Sequence, residues 1–159
     1  MATKRYILPA FVALATVLMS SPDSRAQDAT KKLPALVGTW RVVFERPPGP
    51  PGMALVTFTS DGTSVRTTDR SPFMSASHGV WKEVAEGEFQ ATWNAFQFND
   101  KGAHIGNQKA SFVVRFGSDL DSFTGDGNGT NMALDGAVTG KVVGPFNGTR
   151  VALEPFVGP

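Results

Sequence analysis

The stretch "LVGTWRVVFERPPGPPG", residues 36–52, decides the fold that this sequence predicts. Trp40, Val42 and Phe44 share one face of an extended chain, and charged side chains occur among the residues of the other face. Such alternation is typical of a strand with one buried face and one face in water. The run then breaks into prolines and glycines, and the prolines restrict the backbone. The stretch therefore predicts a first strand followed by a semi-rigid loop at the rim of an opening.

The same rhythm continues along the chain, because runs rich in Val, Thr and Phe alternate with turn sequences such as Asp61-Gly62 and Glu86-Gly87. The last run must bend or bulge at Pro145 and Gly148, or else divide into two strands. An all-β, eight-stranded up-and-down antiparallel β-barrel accounts for this pattern, although a β-sandwich with a solid core fits the same periodicity. The predicted strands are Val37–Glu45, Met53–Ser60, Thr63–Thr68, His78–Val84, Glu88–Phe98, Ala103–Phe116, Ser122–Ala133 and Ala137–Leu153.

The N-terminal residues 1–26 predict an export signal. Lys4 and Arg5 precede an apolar run, Ile7–Met19, that is too short to span a bilayer comfortably. The sequence Ser24-Arg25-Ala26 then provides a small-x-small cleavage pattern. A retained N-terminal anchor is the alternative.

Cleavage after Ala26 makes Gln27 the first residue of the mature chain and predicts a periplasmic or secreted protein. Residues 27–36 then form an N-terminal segment with room for a short helical turn, and residues 37–159 form the barrel domain. No integral membrane segment is expected after cleavage.

The charge balance and the absence of cysteine limit the function. Residues 1–26 hold three of the 15 Lys and Arg and one of the 14 Asp and Glu, which leaves 12 against 13 and a net charge of −1. No positive field is then expected to attract a nucleic acid. The chain has no Cys, which excludes thiol catalysis and thiolate metal sites and leaves the core to stabilise an exported protein.

Three short motifs carry a resemblance to a known family. The sequence "GTW" at Gly38 to Trp40 resembles the Gly-x-Trp motif that opens the first strand of lipocalins and their calycin relatives. In that family, an Arg near the end of the last strand lies across the Trp, which implies the same role for Arg150 in "GTRVALEP". Together with "HGVW", these motifs are similar to exported bacterial lipocalin-like proteins of unassigned activity. The resemblance implies a lipocalin-like barrel with Gly38, Trp40 and Arg150 at its blind end.

Up-and-down topology brings four connections to the end opposite Trp40, and we expect the mouth of the barrel there. These connections are Arg46–Gly52, Asp69–Ser77, Asn99–Gly102 and Leu134–Gly136. "DRSPFMSAS" places Phe73 and Met74 in a loop that is otherwise polar, which favours ligand contact over a concave opening, although both could instead plug it. The partner expected here is a small apolar molecule. The candidate ligand-binding residues are Phe44, Met53, Phe73, Met74, His78, Trp93, Phe96, Phe98, His104 and Met132.

The two histidines are also predicted to lie near the mouth, as polar handles or an acid–base pair, or as ordinary strand-end residues. His104 shares the face of Phe112 and points inward unless a bulge occurs at Gly106. The direction of His78 depends on the following turn. A two-residue turn pairs it with Ala95 on the inner face, and a three-residue turn pairs it with Asn94 on the outer face.

No sequence motif for a cofactor or metal is recognised, and no catalytic residue is assigned. The segment "DGNGTNMALDGA", residues 126–137, lacks the Gly and Glu that a calcium loop needs and instead predicts a glycine-rich, closely approached strand. We therefore expect a binding barrel for a small hydrophobic ligand at its open end. The alternatives are a barrel enzyme of isomerase or cyclase type that uses His78 or His104, and a solid-cored protein-interaction module.

Overall fold

The computed structural model describes residues 34–46, 48–70 and 72–155, which form a closed barrel of eight antiparallel strands. Each strand pairs with the next along the chain, and the last pairs with the first, so the predicted all-β up-and-down barrel is confirmed. Most predicted boundaries agree within one residue. The strands are β1 (Gly38–Phe44), β2 (Gly52–Phe58), β3 (Thr63–Thr68), β4 (Ser77–Ala85), β5 (Glu88–Phe98), β6 (His104–Phe116), β7 (Ser122–Ala133) and β8 (Val138–Arg150).

The last strand is continuous, and its irregularity is not where the sequence predicted it. The register between β7 and β8 runs unbroken through Pro145 and Gly148 and shifts only opposite Asn131 and Met132. β1 pairs only with residues 146–150 of β8, so Pro145 begins a stretch with one free edge. A missing backbone N–H is tolerated at such an edge.

The N-terminal predictions fall mostly on residues that the structure does not describe, including the signal, its cleavage site and residues 27–33. Where the structure describes the segment before β1, Pro34 to Val37 form a turn closed by a hydrogen bond of 3.0 Å from Val37 N to Pro34 O. Within the described ranges there is no helix long and apolar enough to cross a membrane.

The apolar core fills the end of the barrel where β1 begins. Trp40 and Phe58 are fully buried there, and Phe89 and Phe123 join them. The Trp40 ring lies 4.8 Å from the Phe123 ring and 5.5 Å from the Phe116 ring, within the range of favourable aromatic pairs. This packing closes one end of the barrel, which we call the blind end.

Glycines on the inner faces make room for these and other rings. Five of them pair directly across two strands with an aromatic residue, and the ring occupies the space that a Cβ atom would need. Each ring can therefore lie flat on the neighbouring strand, as the glycine-rich sequence of residues 126–137 suggested in part. The pairs are Gly52–Phe44, Gly79–Trp93, Gly125–Phe146, Gly127–Phe112 and Gly148–Phe123.

Candidate functional site

Arg150 seals the blind end by stacking on Trp40, as the lipocalin resemblance implied. Its guanidinium carbon lies 4.2 Å from the Trp40 ring centroid. Its N–H groups donate to the carbonyls of Ala35 and Val37 at 2.8 and 3.0 Å and to the Asp121 carboxylate at 3.0 Å. Its charge and its donors are therefore satisfied within the fold.

Gly38 belongs to the same arrangement. Its φ of +134° is rare for residues with a side chain, and a Cβ atom there would meet the Arg150 guanidinium. Trp40 donates its indole N–H to the Leu36 carbonyl at 2.9 Å. Gly38, Trp40 and Arg150 thus form one structural unit.

The opposite end holds a cavity of about 340 Å³. The four connections predicted at the mouth do lie at this end, because every strand is antiparallel to its neighbours. β1, β2 and β3 have seven, seven and six residues, whereas β6, β7 and β8 have 13, 12 and 13. The longer strands extend one wall at the mouth. The largest apolar residues of the lining are Phe44, Met74, Trp93, Phe112 and Phe146.

Three of the candidate ligand-binding residues, Phe44, Met74 and Trp93, line this cavity. The neighbours Phe73 and Met74 separate, because Met74 bridges to Gln97 of β5 and is buried, while the Phe73 side chain is half exposed. Their loop is therefore neither a shared apolar gate nor a shared plug.

Other apolar candidates lie outside the cavity. Met53 alternates with the buried Ala54, and its Sδ lies 3.2 Å from Arg41 Nε on the outer surface. Phe96 is mostly exposed, because the odd-numbered residues of β5 face inward. Phe98 and Met132 are half-buried and do not line the cavity. Proximity to the mouth was correctly inferred for these residues, but it did not determine which way they point.

His78 faces outward, since it pairs with Asn94 and is exposed. The turn after β4 has two residues, but a register shift between Glu83 and Ala85 places one extra residue in β4. The resulting pairing is the one that the three-residue turn predicted, and Trp81 faces inward. Trp81 donates its indole N–H to the Thr63 carbonyl at 2.9 Å.

His104 faces outward, because a bulge of the kind that the sequence left open occurs next to Gly106. Gln97 pairs with Gly106 and Phe98 with His104, so Ile105 is an extra residue that reverses the side-chain alternation. The His104 ring is exposed and lies 5.2 Å from the Phe96 ring on the outside of the barrel.

Arg66 is the principal residue of the cavity that the sequence analysis missed. It points inward from β3 and is only 9% exposed. Its Nε and Nη2 donate to Ser77 Oγ at 3.2 and 3.0 Å, and Nη2 also donates to Gln108 Oε1 at 3.0 Å. The guanidinium carbon lies 5.1 Å from the Trp93 ring centroid. The usual pattern of apolar residues inside and polar residues outside is reversed in β3, where Val65 faces solvent while Ser64 and Arg66 face inward. The usual pattern alone therefore assigns Arg66 to the outer face.

The one signal that locates Arg66 is its register with β2. The Asp61-Gly62 turn pairs Arg66 with Val56, which lies on the buried face of β2. Facing residues in an antiparallel pair share one side of the sheet, so Arg66 must point into the barrel.

An amide network orients Gln108 toward Arg66. Asn131 Oδ1 accepts hydrogen bonds from Gln108 Nε2 at 2.9 Å and from Gln97 Nε2 at 3.0 Å. This leaves Gln108 Oε1 to accept from Arg66. The polar part of the cavity is thus a preformed group on β3, β4, β6 and β7.

Burial lowers the pKa of Arg66 from its usual range to about 10, because a low-dielectric environment disfavours the charged form. Arg66 therefore remains protonated at neutral pH. Within the described ranges, no three His, Asp or Glu residues are arranged to hold a metal ion. The cavity thus offers an apolar wall and one buried cation.

The chain matches no protein-family model, no curated protein and no solved structure in the comparisons made with them.

Proposed function

We propose that this protein is an exported, lipocalin-like barrel that binds one small, largely apolar molecule at its open end. The observation that supports this most directly is the cavity of about 340 Å³ with its wall of aromatic and aliphatic side chains. Cavities of this kind are the usual sites for small ligands. The stacked Arg150 and Trp40 support the lipocalin resemblance, because they occupy the positions that it implied.

The cavity volume limits the size of the ligand. At roughly 30 Å³ for each non-hydrogen atom, the share of one water molecule in the liquid, the cavity holds on the order of ten such atoms. A longer ligand can extend through the mouth. We therefore expect a compact or single-chain molecule.

The enzyme and interaction-module hypotheses each depended on one feature of the barrel, and neither feature is found inside the described part of the open end. The enzyme hypothesis used a histidine at the mouth, and both His78 and His104 lie outside the cavity. The interaction-module hypothesis used a solid core, and the open half of the barrel is hollow.

A blocked cavity tests the proposal. Isothermal titration of decanoate and of 1-decanol into the wild type should give one molecule bound per barrel for at least one of them. Ala110→Phe, on the inner face of β6, should weaken that binding by roughly tenfold or more, because the new ring fills the space that the ligand needs. Ser111→Phe is the matched control, since Ser111 is the next residue and is exposed.

Binding that survives Ala110→Phe unchanged would place the ligand elsewhere. If neither compound binds the wild type, binding of a small apolar molecule is the wrong function. Thermal melting of both variants verifies that they are folded.

Export is tested separately by N-terminal sequencing. Mature protein recovered from the host should begin at or near Gln27. An intact Met1 in a cytoplasmic fraction would refute this part of the proposal.

A further inference from the structure

Arg66 is a buried cation whose partners are all neutral. Ser77, Gln108 and Met74 accept its hydrogen bonds, and among the described residues no carboxylate lies in ion-pair contact with it. The neighbouring Asp69 pairs instead with Arg46 at 2.7 Å. Burying a charge without a counterion is unfavourable, so proteins seldom retain one without a partner.

Part of the Arg66 guanidinium also has no hydrogen bond to any residue that the structure describes. Nε and Nη2 make the contacts described above, whereas Nη1 donates to no described residue. Arg66 is one of the residues that line the cavity, so a ligand held there lies beside this side chain.

The wall across the barrel from Arg66 has two positions without a side chain. β7 is four strands from β3 in the closed order and therefore lies opposite. Its inner face presents Gly127 and Gly129 to the cavity, and neither carries a side chain, although the Phe112 ring lies over Gly127. A ligand group can thus approach Arg66 without displacing a side chain of β7.

The charged residues that line the cavity are mostly cations, and one of them, Arg46, is paired with Asp69. Four cationic residues and one carboxylate residue line this space, and the rim residues Arg70 and Lys141 are exposed. The protein as a whole has a balanced charge, so this excess is local. A local positive field favours the entry of anions. The residues are Arg46, Arg66, Arg70, Lys141 and Glu45.

We infer that the ligand is a small amphipathic monocarboxylate whose carboxylate binds Arg66 while its apolar body lies against the aromatic wall. This inference rests on the proposed function and specifies its ligand class. A planar guanidinium matches a carboxylate in shape and forms charge-assisted hydrogen bonds with it. A phosphate dianion fits less well, because the described cavity places one buried cation, not several, beside a mostly apolar wall.

The test compares a carboxylate with an uncharged molecule of the same chain length. Isothermal titration at pH 8 measures decanoate and 1-decanol against the wild type, Arg66→Gln, Arg70→Gln and Arg41→Gln. Arg41→Gln is the matched control, because it removes the same charge from the outer face of β1, where Arg41 is exposed.

The wild type should bind decanoate roughly tenfold or more tightly than 1-decanol, the size of one charge-assisted contact. Arg66→Gln should abolish that preference by weakening decanoate alone, and Arg41→Gln should retain it. Equal affinities for both compounds in the wild type would overturn the inference and leave the proposed function standing. Failure to bind either compound would overturn both. A preference that depends on Arg70 and not on Arg66 would also overturn the inference.

A measurement on the wild type keeps the inference testable if Arg66→Gln does not fold. The assigned Nε–Hε NMR resonance of Arg66 should shift on addition of decanoate and shift far less with 1-decanol. An unchanged Arg66 resonance in the presence of saturating decanoate would contradict the proposed contact.

Discussion

The two ends of the barrel each place an arginine on a tryptophan ring, but the two arginines differ in what surrounds them. Arg150 lies 4.2 Å from the Trp40 ring centroid, and Arg66 lies 5.1 Å from that of Trp93. Arg150 has the Asp121 carboxylate and several backbone carbonyls as acceptors. Arg66 is more deeply buried and has only neutral acceptors among the described residues.

This difference separates a structural arginine from a binding one. The donors of Arg150 tie the segment before β1 to β8 and to the β6–β7 connection, so its removal should loosen the closed end. The guanidinium of Arg66 has only neutral acceptors among the residues that the structure describes, so its removal should affect an anionic ligand more than the fold. The following four predictions test this contrast, in order of decreasing expected effect.

The largest effect is expected at Trp40. Trp40→Ala should lower the free energy of unfolding by about 3–5 kcal/mol, because the side chain is fully buried among aromatic rings. Arg150→Ala should cost less. Denaturant unfolding of both single variants and the double variant measures their coupling, which should be roughly 0.5–2 kcal/mol. Additive costs would show that the stacked pair does not act as a unit.

Two glycines of β8 distinguish the filled half of the barrel from the hollow half. Gly148→Ala should lower stability by about 1–3 kcal/mol, because the new methyl group would overlap the Phe123 ring. Gly144→Ala should change it little, since a Cβ atom there has no neighbour within 4 Å. Urea titrations of the two variants compare them on one strand. Equal costs would contradict the assignment of a hollow open end.

The same substitution at the two arginines should have opposite consequences. Arg66→Met should leave the ligand-free protein as stable as the wild type or up to about 1 kcal/mol more stable, because it removes a buried charge that has no counterion among the described residues. Arg150→Met should destabilise it. The effect of Arg66→Met should be constant from pH 7 to 9, as Arg66 stays protonated below its pKa of about 10. A marked loss of stability in Arg66→Met would show that Arg66 is needed for folding.

The smallest effect concerns Asp61, in the β2–β3 turn at the blind end. Hydrogen bonds from the Thr59 hydroxyl and from the Thr63 amide and hydroxyl lower the pKa of Asp61 from 3.8 to about 2. A lowered folded-state pKa stabilises the fold above the unfolded value and loses that contribution as the pH falls toward 2. Thermal melts should therefore show Asp61→Asn below the wild type at pH 7, with the gap closing between pH 4 and pH 2. A gap independent of pH would contradict this account.

The strand boundaries and the closed end could be predicted because they depend on nearby residues. Alternation in β1, β5 and β6 marks the buried face, and turn sequences mark where strands end. The pairing of Trp40 with Arg150 followed from the strand count and the family resemblance together. Neither the strand boundaries nor the pairing of Trp40 with Arg150 was inferred from an exact register between neighbouring strands.

The lining of the cavity could be predicted only in part. Phe44 and Trp93 were found because they continue an alternating run that starts in the core. The directions of His78 and His104 were left open, because one additional residue in a strand, at a bulge, reverses every side chain beyond it. The sequence allowed a bulge at Gly106 but did not decide whether one occurs, and the structure places the extra residue at Ile105.

The sequence by itself determined that this chain forms antiparallel strands and where most of them begin and end. These properties follow from side-chain period and turn chemistry, which act over a few residues. Only the tertiary structure decided that Arg66 lies inside, that both histidines lie outside, and that glycines face the rings. Those positions depend on the register between strands and on the closure of β8 against β1, and distant residues determine both.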